Sequence, residues 1–155
     1  MTQQEELTIS QAMEKSVMVV ELNTTAQECA RAMAKRGVSC AVIIQRGRPV
    51  GIVTERDLVA KVMAETIEAD KVLVRDIMST PLITISPGAL LKEGAELMAQ
   101  YRIRRLVVVD RAGALVGIVT TGDIARTMAE KHGYREATFN AMARYKEGVE
   151  GGPYQ

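Results

Sequence analysis

An internal repeat constrains the fold of this 155-residue chain more than any other feature of its sequence. The segment Gly51–Leu58 reads Gly-Ile-Val-Thr-Glu-Arg-Asp-Leu, and Gly117–Ile124 repeats it as Gly-Ile-Val-Thr-Thr-Gly-Asp-Ile. The number of residues that separates equivalent positions in the two copies increases by one within a Gly-containing turn, where duplicated units tolerate insertion. The repeat therefore predicts two copies of one structural unit. Further matches at an offset of 65 pair Met13 with Met78, Met33 with Met98, and residues 42–44 with 107–109.

Each copy carries the same order of secondary-structure signals, β-α-β-β-α. A capping pattern at 24–28 precedes a helical face formed by Ala26, Cys29, Ala30 and Met33, and Ser86-Pro87 starts the matching helix. Two apolar runs follow in each copy and predict strands buried on both faces. The repeated Thr then begins a second helix, and short strands around 17–20 and 82–85 complete each unit. One unit of roughly 60 residues buries too little surface alone, so we expect both to share one core.

Composition excludes several classes of protein. The net charge is only +1 with both signs interspersed, which argues against a nucleic-acid partner. No apolar run reaches membrane-spanning length and the N-terminus is polar, so we expect a cytoplasmic protein without a membrane partner. Cys29 and Cys40 are predicted to be small buried residues, and with the lone His132 they form no metal-ligand set. No nucleophile–base pair or Walker-type loop is visible, so we expect neither catalysis nor a metal cofactor.

The repeated turn suits either ligand binding or helix capping. Thr54 and Thr120 each lie where a strand ends and a helix begins, and backbone N–H groups there lack partners within the helix. Such donors bind phosphate, while Asp57 and Asp123 can accept hydrogen bonds from both hydroxyls of a ribose. Thr-x-x-Asp before an apolar helix is equally a capping signature. Spacing alone leaves both interpretations open, since duplication copies a cap as faithfully as a site.

The two Gly-Ile-Val-Thr-x-x-Asp blocks, with the leading Met13 and Met78, resemble a tandem pair of cystathionine β-synthase (CBS) domains, or Bateman module, over roughly residues 8–131. The resemblance implies an α/β (α+β) fold of two β-α-β-β-α units, related by a pseudo-twofold axis and packed through their sheets. It also implies two clefts that bind AMP, ADP, ATP or S-adenosylmethionine as regulatory ligands. By this resemblance Asp57 and Asp123 bind ribose, and Thr54 and Thr120 bind phosphate.

The two copies differ in their arginines. The second copy carries Arg102, Arg104 and Arg105 where the first has Gly37, Ser39 and Cys40, and Arg56 of the first faces Gly122. In similar modules basic residues near this strand reach a ligand phosphate, which makes Arg104, Arg105 and Arg56 phosphate-binding candidates, with ordinary solvated charge as the alternative. We therefore expect unequal clefts. The family pattern implies that adenine contacts come from the first strand of each copy, where simple core packing is the alternative: Val17, Met18, Thr80, Pro81 and Leu82.

The predicted domain boundaries are 8–65 for the first CBS domain, 66–73 for a linker and 74–131 for the second. Residues 132–155 hold four of the five aromatic residues and are predicted to be a C-terminal helical extension and tail. We expect a homodimeric sensor of an adenine-containing small molecule that acts on an unidentified regulated protein. The alternative is a ligand-free CBS scaffold that serves as a dimerisation or protein-interaction module.

Overall fold

Two three-stranded sheets, one from each repeat, carry the helices in this computed structural model, which describes residues 6–131. The predicted C-terminal extension at 132–155 lies outside the described residues. The first repeat contains α1 (Ile9–Ala12), β1 (Val19–Glu21), α2 (Ala26–Arg36), β2 (Cys40–Gln45), β3 (Arg48–Thr54) and α3 (Glu55–Leu58), which a π-helical turn (Val59–Met63) extends. A 3-10 turn (Ala69–Lys71) leads to α4 (Val74–Ile77), β4 (Thr84–Ile85), α5 (Leu91–Tyr101), β5 (Arg105–Val109), β6 (Leu115–Thr120) and α6 (Thr121–Lys131).

Both sheets have the same topology. β1 runs parallel to β2, which pairs antiparallel with β3, and β4, β5 and β6 repeat this arrangement. The register shifts at the equivalent place in each hairpin, between Ile43 and Ile44 and between Val108 and Val109. The predicted α/β fold of two β-α-β-β-α units is thereby confirmed. Among residues 6–131, each helix is too short or too polar to cross a membrane.

Local sequence signals position α2 as predicted. Thr25 and Glu28 form a capping box, in which the Glu28 N–H donates to Thr25 Oγ1 at 3.1 Å. Cys29 is buried on the inner face of α2, but Cys40 is only partly buried because it begins β2 at the end of the sheet. Burial raises the pKa of the Cys29 thiol. It also raises the pKa of the Cys40 thiol, and the charge of Arg105 partly opposes that rise. Both thiols are therefore neutral at neutral pH.

The short helix that begins each repeat packs into the core of the other repeat. Ile9 and Ala12 of α1 are buried among residues of the second sheet, while Val74 and Ile77 of α4 are buried in the first core. The segments after these helices cross over too: Glu14 bridges to Ile118 in β6, and Ser79 to Ile52 in β3. A third cluster, with Val42, Val107 and Ile118 at its centre, joins the two sheets. The repeats consequently share a continuous interface, along which the candidate site lies.

Candidate functional site

A cavity of about 460 Å³ opens between the two repeats. Its walls come from the end of β3 with the start of α3, the segment that precedes β4, and the start of β5. This volume lies within the range typical of small-molecule sites. The lining residues are Ser39, Ile52, Thr54, Glu55, Arg56, Ser79, Pro81, Leu82, Ile83, Arg102, Ile103, Arg104, Arg105 and Val107.

Four arginines and a single acidic residue, Glu55, line the cavity. The half-buried Arg105 donates from Nη2 to Ser39 Oγ at 2.9 Å. Within residues 6–131, the side chains of Arg56, Arg102 and Arg104 form no hydrogen bond or ion pair. Unpaired guanidinium groups beside a cavity attract an anion, and they bind phosphate well because their donors match its oxygens.

The position of the arginines resolves a point that the sequence left open. Arg104 and Arg105 belong to the second repeat, yet they line the same cavity as Thr54 and Arg56 of the first. Ser39 links the two repeats at this place. Its carbonyl accepts a hydrogen bond from the Glu55 N–H at the start of α3 at 3.0 Å, and its hydroxyl accepts one from Arg105. All the predicted phosphate-binding residues except Thr120 therefore meet at one site.

Thr54 and Asp57 form a reciprocal capping box at the start of α3. The Thr54 N–H donates to Asp57 Oδ2 at 2.9 Å, and the Asp57 N–H donates to Thr54 Oγ1 at 3.2 Å. Asp57 is only 6% exposed and also contacts two residues that the sequence analysis did not single out. Lys61 Nζ lies 2.9 Å from Oδ1, and Ser79 Oγ donates to Oδ1 at 3.3 Å. Ser79 lines the cavity whereas Asp57 does not, so the serine links this carboxylate to the cleft.

The second copy of the motif also forms a helix cap. The Thr120 N–H donates to Asp123 Oδ2 at 2.9 Å, and the Asp123 N–H donates to Thr120 Oγ1 at 3.1 Å. Arg126 Nη2 occupies the other carboxylate oxygen at 2.9 Å. Neither Thr120 nor Asp123 lines the arginine-containing cavity. The two predicted Thr/Asp pairs are thus structurally separate, and their surroundings differ.

The predicted adenine-binding residues are divided between the cavity and the core. Pro81 and Leu82 line the cavity, and the exposed Thr80 lies between the lining residues Ser79 and Pro81. Val17 packs with Leu82 in the cluster between the sheets, while Met18 is buried in the first core. The remaining apolar walls were not predicted as a site, because in the sequence these residues belong to ordinary core patterns: Ile52, Ile83, Ile103 and Val107.

Comparison with known proteins identifies the repeat unit. The CBS domain family model matches residues 9–64 and 74–130. An uncharacterised protein of Methanopyrus kandleri is 40% identical over 119 residues, covering 76% of this chain but only 61% of the relative. A solved hexameric CBS-CP12 protein from bloom-forming cyanobacteria superimposes with a TM-score of 0.75 at 26% identity, covering 92% of this chain and 80% of that one. A solved CBS domain pair in complex with 5′-methylthioadenosine and S-adenosyl-L-methionine gives 0.72 at 28% identity, covering 81% and 98%.

Proposed function

Since this chain belongs to the CBS domain family, we propose that it is a regulatory, non-catalytic protein that binds an adenine nucleotide in the arginine-lined cavity. One observation carries the proposal. Arg56, Arg102 and Arg104 line a cavity of about 460 Å³ together with Thr54, and the three arginines have no partners within residues 6–131. The adenosyl ligands of the similar CBS domain pair support an adenine-containing ligand.

The chemistry of the walls assigns parts of the ligand to parts of the cavity. Apolar side chains such as Leu82 and Ile52 suit the adenine ring, with Pro81 beside them. Arg104 and Arg105 suit the phosphate. The ribose reaches Asp57 by taking the place of the Ser79 hydroxyl, since a carboxylate accepts hydrogen bonds from a ribose diol as it does from serine.

The charge of the cavity ranks the candidate ligands. Four arginines against one glutamate favour AMP, ADP or ATP, because phosphate charge is complementary to guanidinium charge. S-adenosylmethionine carries a positive sulfonium and is disfavoured at the same place. The surroundings of Thr120 and Asp123 lack equivalents of these arginines, since Gly122 stands at the position matching Arg56, and the first copy has Gly37, Ser39 and Cys40 at the positions matching Arg102, Arg104 and Arg105. That second region is accordingly the weaker site for a charged nucleotide.

Regulation follows from the two-repeat construction of the cavity. A ligand that contacts Thr54 in one repeat and Arg104 in the other stabilises the arrangement that holds both in place. It shifts a conformational equilibrium by its difference in affinity for the two states. We further propose that the protein is a cytoplasmic homodimer that passes this change to a regulated protein. Exposed apolar side chains on the π-helical turn, Val59 and Met63, and the hexameric assembly of a similar protein support self-association.

A ligand-free scaffold is the second candidate function. The observation in its favour is that Thr54 and Asp57 already satisfy each other as a helix cap, with Lys61 and Ser79 completing the contacts of the carboxylate. Residues used in this way need no ligand to explain them. The scaffold function leaves without a role the three arginines that have no partner within residues 6–131.

A thermal-shift panel distinguishes the two functions. AMP, ADP, ATP, S-adenosylmethionine, NADH and adenosine are each added at millimolar concentration, and the melting temperature is measured. A ligand that binds only the native state at 100 times its dissociation constant adds about 2.7 kcal/mol of stability. We expect the phosphate-bearing nucleotides to raise the melting temperature by several degrees, and S-adenosylmethionine and adenosine to raise it less. No shift with any compound would support the scaffold instead.

A further inference from the structure

We propose that Arg102 is a specificity-determining residue for the length of the ligand's phosphate chain, held for that purpose in a backbone conformation that disfavours arginine. The proposal rests on the proposed nucleotide-binding function and assigns a residue that the family resemblance did not. Its evidence is a difference between two helix ends that are otherwise alike.

Helices α2 and α5 end in the same hydrogen-bonded turn. In α2 the Gly37 N–H donates to the Ala34 carbonyl at 3.2 Å, and the next N–H donates to the Met33 carbonyl at 3.1 Å. In α5 the Arg102 N–H donates to the Ala99 carbonyl at 3.4 Å, and the next donates to the Met98 carbonyl at 3.0 Å. Both turns need a left-handed residue, with φ of 65° at Gly37 and 54° at Arg102.

Only glycine adopts this conformation without a steric penalty. A side chain in the left-handed region brings Cβ close to the following carbonyl oxygen, and glycine is for this reason the usual residue at a helix C-terminus. Gly37 follows that rule and Arg102 does not. The second repeat therefore bears a conformational cost that the first avoids at the same turn.

The position of the Arg102 side chain offers a reason for this cost. It lines the cavity beside Arg56, Arg104 and Arg105, and within residues 6–131 it has no hydrogen bond or ion pair. Four like charges around one cavity repel each other until an anion enters. The left-handed backbone and the charge repulsion both disfavour arginine in the ligand-free protein, and a bound anion relieves the second.

Exposure separates the roles of the arginines. Arg105 is half-buried and held by Ser39, whereas Arg102 is exposed, as Arg56 and Arg104 are. The β- and γ-phosphates of a nucleotide extend furthest from the adenosine, so they are the groups that an exposed arginine meets. Arg102 accordingly favours ATP over AMP, while the half-buried Arg105 serves every phosphate-bearing nucleotide.

The test replaces Arg102 with the residue that the other repeat carries. Arg102→Gly and wild type are titrated calorimetrically with ATP, AMP and adenosine at low salt, and the ligand-free melting temperature is measured. The matched control is Arg46→Gly, which also removes one positive charge from a left-handed residue, with φ of 52°, but lies outside the cavity. Both variants should melt about 2–4 °C higher than wild type, because both relieve the same backbone conformation.

Binding then separates the two variants. Arg102→Gly should weaken ATP binding by roughly three- to tenfold, weaken AMP binding less and leave adenosine unchanged, with the difference shrinking as salt is added. Arg46→Gly should bind all three as wild type does. Equal affinity of Arg102→Gly and wild type for ATP, or equal losses for ATP and AMP, would overturn the proposal for Arg102 alone. Failure of wild type to bind any of the nucleotides would overturn it together with the proposed function.

Discussion

The carboxylate of Asp57 is already occupied by hydrogen bonds and an ion pair within the protein. It accepts from the Thr54 backbone, from Thr54 Oγ1 at 3.1 Å and from Ser79, and it pairs with Lys61. A buried carboxylate is stable only when it is paired and hydrogen-bonded in this way. A ribose can therefore reach Asp57 only by exchange with one of these donors. Ser79 is the donor that faces the cavity.

Replacing Ser79 with alanine tests this exchange. The variant lacks a hydrogen bond that exists only in the ligand-free state, so its melting temperature should fall by a few degrees. Its affinity for ATP should rise by roughly two- to tenfold, because the ribose no longer competes with a serine hydroxyl. Calorimetric titration measures the affinity, and a thermal melt measures the stability.

Ser16→Ala is the matched control for this variant. Ser16 is exposed, and its hydroxyl makes no hydrogen bond within residues 6–131, so neither quantity should change. A loss of affinity in Ser79→Ala would show instead that the serine holds the ligand directly.

Sequence patterns predict only part of the network of contacts around Asp57. Thr54 and Asp57 were predicted from the repeat, and Lys61 lies four residues after Asp57, a spacing that favours an ion pair on a helix. Ser79 was not predicted, because it follows Asp57 by 22 residues and belongs to the crossing segment before β4. Contacts of this kind depend on tertiary packing, which spacing in one helix does not encode.

At the scale of the elements, glycines and methionines couple the repeats. A Cβ atom on Gly51 of β3 would lie 2.5 Å from Met78 Sδ, and one on Gly117 of β6 would lie 2.8 Å from Met13 Sδ. Each strand thus receives the methionine that follows the short helix of the other repeat. The glycines of the repeated motif are required for this close approach as much as for any ligand.

The two glycines should differ in their tolerance of alanine. At Gly117 the added methyl group also meets the Glu14 backbone carbonyl at 2.9 Å, whereas at Gly51 its three nearest atoms all belong to the flexible Met78 side chain. Gly117→Ala should lower the free energy of unfolding by about 2–3 kcal/mol, and Gly51→Ala by about 1 kcal/mol, because a side chain can move aside more easily than backbone. Urea denaturation measures both losses.

A double variant provides the control at Gly51. The combined loss in Gly51→Ala/Met78→Ala should be smaller than the total of the two single losses, since the alanine fills space that the methionine leaves. Equal destabilisation by the two glycine variants would contradict the contact geometry.

The order of the helices and strands was predictable from the sequence, but the packing of each short helix into the core of the other repeat was not. Helical periodicity placed α2 correctly, continuous apolar runs placed β2 and β3, and the repeat carried the same predictions to the second copy. Ile9 and Ala12 read as an apolar pair in the sequence, yet nothing in that pattern indicates that they enter the core of the second repeat. Periodicity gives the face that an element buries, and it does not identify the element that covers that face.

At the scale of the whole molecule, a symmetric fold carries an asymmetric charge distribution. Each repeat supplies the same sheet topology, while the second alone supplies Arg102, Arg104 and Arg105. The mismatch was visible in the sequence. The structure assigns these arginines to a cleft, because Arg105 lies beside Ser39, immediately before strand β2 of the neighbouring repeat. The proposed asymmetric sensor follows from this combination.

We propose that the Thr54–Asp57 cleft binds the nucleotide more tightly than the Thr120–Asp123 region does. Calorimetric titration of ATP into wild type, Asp57→Ala and Asp123→Ala tests it directly. Thermal melts and circular dichroism confirm that both variants are folded. The tight site should weaken by about tenfold or more in Asp57→Ala, which loses the carboxylate that meets the ribose, and by less than about twofold in Asp123→Ala. Equal losses in the two variants, or a larger loss in Asp123→Ala, would show that the Thr54–Asp57 cleft is not the tighter site.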